Sequence, residues 1–458
     1  MHQMGNSRPP SSKASKTRPK AASTMGALQS CCACFAAAPA PDARGPDRAR
    51  KASPSRTRAA EHQQQDPLAF GPDESYPLPD ALDKAEAAQR LVFAAAEKEF
   101  AVLPFTESLA NNVDPKWSRN GGAVIEATLA TTGLIDANYL ISLAQFGGAL
   151  PRHEDVPVVA WLGAKQAWRL RSWSGFGSNS VLVISAPWLD PHHPDKHGAT
   201  LRKVLPVLQA LVATAKSFPA HEHATVGLMW DFCCVPQALP QADPQKRERC
   251  LLEHARCLAH AAVHVLLVTT PHSRGTYENR RPRTECGWAM YEEKLASLIK
   301  FDDCLWDLAK LDNAMAAGGV HVGGSLSYAV LYKALACRRG PPVSPNELAK
   351  ALRSQRLYVQ NAADMDVAIK IYERVFIETF EGYLTNFPGR SMLLCYRDRG
   401  WKDAEAATLA EALGFAAEQC KFPKEGAPPI HAIPGNNFSL EAVELMKAAV
   451  KKSPLKLK

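Results

Sequence analysis

The chain has 458 residues, of which 46% are apolar and 22% charged, so it can form two or three domains with a real core. Residues 1–60 hold eleven Lys or Arg against two Asp, whereas the whole chain carries a net charge of +8. The rest of the chain is therefore near neutral, which argues against a folded body that binds nucleic acid through a basic face. No apolar run reaches the roughly 18 residues that span a bilayer, and no secretory signal is visible, so we expect a cytoplasmic protein with free thiols.

Residues 1–78 are rich in Pro, Ser, Ala, Arg and Lys, a composition that predicts a disordered basic tail. Within this tail, residues 25–35 read MGALQSCCACF. If translation began at Met25, Gly26 would match the acceptor pattern for N-myristoylation. Three candidate palmitoylation sites follow, Cys31, Cys32 and Cys34. Their palmitoylation would strengthen peripheral attachment to an anionic membrane. An organelle transit peptide and a plain disordered tail are the two alternatives.

Residues 79–178 read as a helical and loop-rich lead-in. A helix is predicted over Asp80–Phe100, because Asp80 can act as its N-cap and apolar residues follow at helical spacing. The remainder, 101–178, is interrupted by glycines and prolines. We expect it to pack as a lead-in segment on the next domain.

Residues 179–300 alternate between short apolar runs and amphipathic helices. The apolar runs predict strands buried on both faces at VLVIS (181–185), VGLMW (226–230) and VHVLLVTT (263–270). Helical spacing of apolar residues predicts helices over Thr200–Lys216, Arg247–Ala262 and Trp288–Ile299. This alternation predicts an α/β fold with a doubly wound parallel sheet and right-handed crossovers.

The remaining chain divides into a helical region, 301–396, and a C-terminal region, 397–458. The clearest helix of the first region is predicted over Asp364–Leu384. In the second, RGWKDAEAATLAEAL (399–413) and PGNNFSLEAVELMKAAV (434–450) resemble degenerate leucine-rich repeats of the ribonuclease-inhibitor type. A pair of plain amphipathic helices is the alternative, because a solenoid needs about three repeats.

Polar and aromatic residues follow each predicted strand of the α/β region. Ligands bind outside the carboxyl ends of the strands in an open parallel sheet, so these residues should meet at one edge. Together they supply a carboxylate, indole rings, hydroxyls and a guanidinium, which suit a sugar or a nucleotide. The candidate binding residues are Ser185, Trp188, Asp231, Tyr277, Arg283 and Trp288.

Three motifs occur in a set order in this region. They are SAPWLDPHHPDKHGATL (185–201), WDFCCVPQ (230–237), and Tyr277 followed by Gly287-Trp288 and then Glu292. Their combination resembles a TIR-like (Toll/interleukin-1 receptor homology-like) domain family of protists and algae, over roughly residues 140–300. The resemblance implies a flavodoxin-like sheet and a role in signalling through protein partners or self-association.

The same resemblance implies an enzymatic alternative. Many TIR domains place a glutamate four residues after a tryptophan, as Glu292 follows Trp288, and in enzymatic members this glutamate cleaves NAD to nicotinamide and an ADP-ribose product. NAD would then be a substrate, and no cofactor is expected. Cys286 stands where the family has an arginine, so Arg283 would replace that arginine from a loop.

Each candidate also has a structural interpretation. Glu292 could lie on a solvated helix face, Trp288 could be a packing residue, and Asp231 could cap a turn. The sequence predicts no metal site, because no second group is spaced to converge with the nearby histidines His192, His193 and His197. Two functions remain open, a TIR-like interaction module and an NAD glycohydrolase that uses Glu292.

Overall fold

The computed structural model describes residues 115–171, 179–217, 223–237, 243–270, 277, 279, 281–316, 326–354, 362–384, 394–422 and 429–458. The predicted basic tail lies outside these ranges, together with its lipidation residues Gly26, Cys31, Cys32 and Cys34. The predicted helix Asp80–Phe100 also lies outside them. All described residues fall within one compact unit, Glu74–Lys458.

The central sheet has six strands. In chain order they are β1 (Leu134–Asp136), β2 (Trp161–Leu162), β3 (Val181–Ser185), β4 (Gly227–Trp230), β5 (His264–Leu267) and β6 (Leu305–Asp307). Their order across the sheet is β2-β1-β4-β3-β5-β6. Strands β4, β3, β5 and β6 are parallel, and β1 is antiparallel to both of its neighbours. The predicted α/β class is thus confirmed.

The sheet is mixed, so the prediction of a purely parallel sheet was wrong at one edge. Strands β1 and β2 come from the lead-in, which the sequence had assigned to helix and loop. They contain three and two residues, too few to show the alternation that identifies a strand. Every residue of β3, β4 and β5 is buried, which means that both faces of the sheet are covered.

The helices, in chain order, are α1 (Pro115–Arg119), α2 (Gly122–Thr131), α3 (Ala137–Gln145), α4 (Trp168–Arg171), α5 (Ala199–Lys216), α6 (Asp231–Cys234), α7 (Pro244–Ala259), α8 (Gly287–Ala296), α9 (Leu308–Ala316), α10 (Tyr328–Leu335), α11 (Pro345–Arg353), α12 (Ala362–Phe380), α13 (Asp403–Gln419) and α14 (Leu440–Val450). Two sets of helices pack together around the central sheet. In one set, α5 contacts α3 and α10; in the other, α7 contacts α2, α8 and α12.

Helix α7 begins three residues before its predicted start at Arg247. The Asp243 carboxylate accepts a hydrogen bond from the Gln245 backbone N–H, and Pro244 occupies the first turn. Both features stabilise a helix N-terminus. Arg247 therefore lies inside the helix, in register with the residues one and two turns later.

The C-terminal region contains strands as well as its two predicted helices. A small parallel sheet, β7 (Leu394–Cys395), β8 (Pro429–His431) and β9 (Lys456–Leu457), alternates along the chain with α13 and α14. The Asn436 side chain holds the loop after β8, accepting hydrogen bonds from two backbone N–H groups and donating to two carbonyls. Within the described ranges, no helix is both long and apolar enough to cross a membrane.

Candidate functional site

A cleft opens at the carboxyl ends of β3 and β4, where they meet α7, α8 and one residue of α12. Its empty volume is about 900 Å³, including the part open to solvent. This is the edge at which an open α/β sheet binds its ligands. Three of the predicted binding residues line the cleft: Trp188, Asp231 and Trp288. The predicted catalytic residue, Glu292, lines it as well.

Glu292 lies in the floor of this cleft and is only 5% exposed. One carboxyl oxygen accepts a hydrogen bond from the Ser185 hydroxyl, at the end of β3. The other lies 3.8 Å from His254 Nε2, on α7. The interpretation of Glu292 as a solvated surface residue is therefore wrong; the next residue, Glu293, takes the exposed position, with 43% of its side chain accessible.

Two carboxyl groups of the cleft have raised pKa values. Burial raises the pKa of Glu292 to about 8, and the negative charge of Asp231 adds to this effect. Burial also raises the pKa of Asp231 to about 6, although the indole N–H of Trp188 donates to its carboxylate at 2.8 Å. Burial of both groups, together with the negative charge of Asp231 beside Glu292, favours their protonated forms and raises both pKa values. Paired carboxyl groups with separated pKa values are typical of acid–base sites.

Ser185 and Arg283 lie beneath the cleft and position Glu292. Arg283 donates to the Ser185 carbonyl at 2.9 Å, to the Ser185 hydroxyl oxygen at 2.7 Å and to the Ala289 carbonyl at 2.9 Å. Since a guanidinium can only donate, the Ser185 hydroxyl hydrogen is left for Glu292. Arg283 thus ties the end of β3 to helix α8, and its charge partly opposes the rise in the Glu292 pKa.

Two indole rings stand on the cleft wall. Trp188 packs edge-on against Phe232 with ring centroids 5.4 Å apart, and Trp288 makes the same kind of contact with Tyr291 at 5.4 Å. Both tryptophans are half-buried, so each keeps ring surface toward the cleft. Such rings can stack on a base or cover a sugar.

Tyr277 does not line the cleft, in contrast to its predicted role. Its hydroxyl donates to Asp195 at 3.0 Å, and its ring packs against His197 at 5.3 Å. Asp195 also accepts hydrogen bonds from the backbone N–H groups of Ala199 and Leu201, at the start of α5. Tyr277 therefore braces the loop after β5 on the start of α5.

The histidines near Asp195 have structural contacts as well. His193 accepts a hydrogen bond from the Asp195 backbone N–H and donates to the Leu150 carbonyl. Its ring packs on Phe232 at 4.6 Å. Among the described residues, no group of three or more His, Cys, Asp or Glu side chains is placed to hold a metal ion.

His254 is a cleft residue that the sequence did not reveal. It is 3% exposed, and its Nε2 atom has no hydrogen-bond partner among the described residues. Burial lowers its pKa to about 4, so the ring is neutral at neutral pH. A buried polar atom without a partner is uncommon in a folded protein, and here it faces the cleft beside Glu292.

No family model, curated protein or solved structure matches this chain.

Proposed function

We propose that this protein is a TIR-like signalling module whose cleft hydrolyses the N-glycosidic bond of NAD. The observation that carries the proposal is the buried pair of Asp231 and Glu292, at the carboxyl ends of parallel strands and beside two indole rings. A carboxylate at this position can face the positive charge that develops on a ribose as its bond to nicotinamide breaks.

The strand order supports a flavodoxin-like, doubly wound arrangement for the parallel part of the sheet. Along the chain, β3 is the first of the parallel strands and β4 the second. In the sheet β4 lies on one side of β3, and the third and fourth strands, β5 and β6, follow on the other side of β3. This is the flavodoxin-type order, in which ligands bind where the connections leave the first strand in opposite directions. The cleft lies at the carboxyl end of that strand.

The reaction uses water and needs no other co-reactant. The bond between ribose C1′ and the nicotinamide nitrogen breaks, and its electron pair stays on the nitrogen, which loses its positive charge. Water adds to C1′ and releases a proton, giving ADP-ribose. Because its pKa is raised to about 8, Glu292 is mostly protonated at neutral pH, and the fraction that is ionised grows as the pH rises. That ionised form stabilises the cationic ribose in the transition state more than in the ground state, while Ser185 and Arg283 hold its carboxyl group in place.

A module that binds protein partners or a second copy without chemistry is the alternative. The hydrogen bond from Ser185 to Glu292 favours it, because this bond engages one of the two carboxyl oxygens that a ribose would need. In that case the buried carboxyl pair would be retained without turnover.

Product analysis separates the two functions. The purified full-length chain is incubated with NAD at high protein concentration, and the products are separated by chromatography. Our proposal predicts nicotinamide and ADP-ribose in equal amounts. Intact NAD, or cleavage at the pyrophosphate instead of the glycosidic bond, would contradict it.

A further inference from the structure

One face of helix α7 forms a wall of the cleft. Arg247, Leu251 and His254 all line it, and their spacing of four and then three residues places them on the same helical face. At a rise of 1.5 Å per residue, Arg247 and His254 are about 10 Å apart along the helix axis. His254 lies at the end of the cleft that holds the Glu292 carboxyl group. Arg247 therefore lies at the other end of the cleft.

The hydrogen-bonding capacity of Arg247 is only partly used. Its Nη1 atom lies 3.4 Å from Asp364 Oδ1, at the start of α12, which is longer than the roughly 2.8 Å of a strong charge-assisted bond. Its Nε atom is buried and has no hydrogen-bond partner among the described residues. About a quarter of each side chain is exposed, 25% for Arg247 and 23% for Asp364, so a ligand in the cleft can reach the guanidinium.

The charges along the cleft differ between its two ends. The floor holds the Asp231–Glu292 pair, and the nearby Asp190 is paired with Lys196 at 3.1 Å. Arg247 is the only Lys or Arg among the described residues that line the cleft. A ligand with a cationic ring at one end and anionic phosphates in its middle would match this arrangement.

We propose that Arg247 binds the phosphate groups of the nucleotide and that Asp364 occupies the guanidinium when no nucleotide is bound. This inference rests on the proposed function, since it assigns the anionic part of the same ligand to a residue of the same cleft. A guanidinium can donate two parallel hydrogen bonds to phosphate oxygens. Asp364, held on α12, competes with those oxygens and lowers the affinity for the nucleotide.

Binding of ADP to the full-length chain tests this assignment by calorimetry, without any need for turnover. Arg247→Gln removes the charged donor and should weaken ADP binding about tenfold or more. Asp364→Asn removes the competing carboxylate and should tighten ADP binding by up to about fivefold, the size expected of a partly exposed ion pair. Adenosine, which has no phosphate, should bind all three proteins equally.

The chain offers a matched control pair. Arg353 of α11 and Asp366 of α12 form an exposed ion pair of 3.2 Å outside the cleft. Asp366 is two residues from Asp364 on the same helix. Arg353→Gln and Asp366→Asn should leave ADP affinity unchanged. Inorganic pyrophosphate should bind more weakly than ADP, because it lacks the base and the ribose.

Several results would overturn the assignment. One is an equal ADP affinity in wild type, Arg247→Gln and Asp364→Asn, and another is the absence of ADP binding by all three. The assignment would also fail if Asp366→Asn changed ADP affinity as much as Asp364→Asn does, or if pyrophosphate bound as tightly as ADP. Failure of the proposed function is distinguishable from these results. If ADP binding depends on Arg247 while NAD stays intact, the phosphate site stands and the hydrolase does not.

Discussion

Asp231 and Glu292 are two carboxyl groups that the fold buries in one cleft, and this makes their protonation part of the folding equilibrium. The pKa of Glu292 rises from an ordinary value of 4.5 to about 8 on folding, so the folded state holds a proton that the unfolded chain releases. Stability from this group is fully present below pH 4.5 and is lost as the pH rises to about 8. Such destabilisation is common where a site is arranged for chemistry.

Glu292→Gln should therefore change the pH dependence of stability. Glutamine cannot ionise, so the variant avoids the loss that wild type suffers between about pH 4.5 and pH 8. We expect its melting temperature to exceed that of wild type by a few degrees at pH 9, with a smaller difference at pH 5. Thermal unfolding followed by circular dichroism at both pH values measures this.

Glu373→Gln is the control for that measurement, because Glu373 is an exposed glutamate of helix α12 that does not line the cleft. It should shift the melting temperature equally at both pH values. If Glu292→Gln also gave a shift independent of pH, the raised pKa of the buried glutamate would be wrong.

Helix α7 carries the cleft wall, and it is fixed to helix α12 by a network of charges. Arg256 donates to both carboxyl oxygens of Glu378, at 2.8 and 2.6 Å, and to Glu253 at 2.6 Å. Glu253 in turn accepts a hydrogen bond from Thr128 of α2 at 2.9 Å. This network anchors α7 within one turn of His254 and holds its register against α12.

Loss of Arg256 should destabilise the whole unit. Arg256→Gln leaves Glu253 and Glu378 without their main partner in a mostly buried place, which should lower the free energy of unfolding by about 2–3 kcal/mol. Arg374→Gln removes the exposed partner of the same Glu378, whose pair at 3.1 Å is largely solvated. That control should cost less than about 0.5 kcal/mol. Equal effects of the two variants in urea unfolding would contradict the importance of the buried network.

In the C-terminal region, the loop that follows β8 depends on a single side chain. Asn436 satisfies four backbone groups, whereas Asn437 beside it is exposed. Asn436→Ala should lower the free energy of unfolding by about 2–4 kcal/mol, because buried backbone groups lose their partners. Asn437→Ala should change it by less than about 0.5 kcal/mol. Similar urea midpoints for the two variants would show that the loop does not depend on Asn436.

At the scale of the whole molecule, the sequence located most of the cleft through one topological rule. Trp188 and Asp231 could be predicted because each follows a strand that is recognisable from its apolar run. Glu292 was singled out only by its spacing from Trp288 in the TIR-like resemblance. His254 and Arg247 could not be predicted in this way, because they lie within helix α7 and not after a strand. Arg247 contacts Asp364, which is 117 positions away in the chain. No local pattern encodes such a contact.

The errors in the fold have similar causes. Strands β1 and β2 were missed because they are too short to show a period, although they complete the sheet beside β4. The sequence predicted Tyr277 in the cleft because it follows a strand. Its hydroxyl instead donates a hydrogen bond to Asp195, the aspartate that caps the start of α5. In both cases a tertiary contact outweighs the local signal.

The most direct test compares nicotinamide release from NAD by wild type, Glu292→Gln and the exposed-site control Glu373→Gln, as full-length proteins at equal high concentration. We predict that Glu292→Gln loses release by about 100-fold or more, while Glu373→Gln retains the wild-type rate. Both variants must first show wild-type circular dichroism. Release that is equal in Glu292→Gln and wild type, or absent from wild type, would contradict a glycohydrolase centred on Glu292.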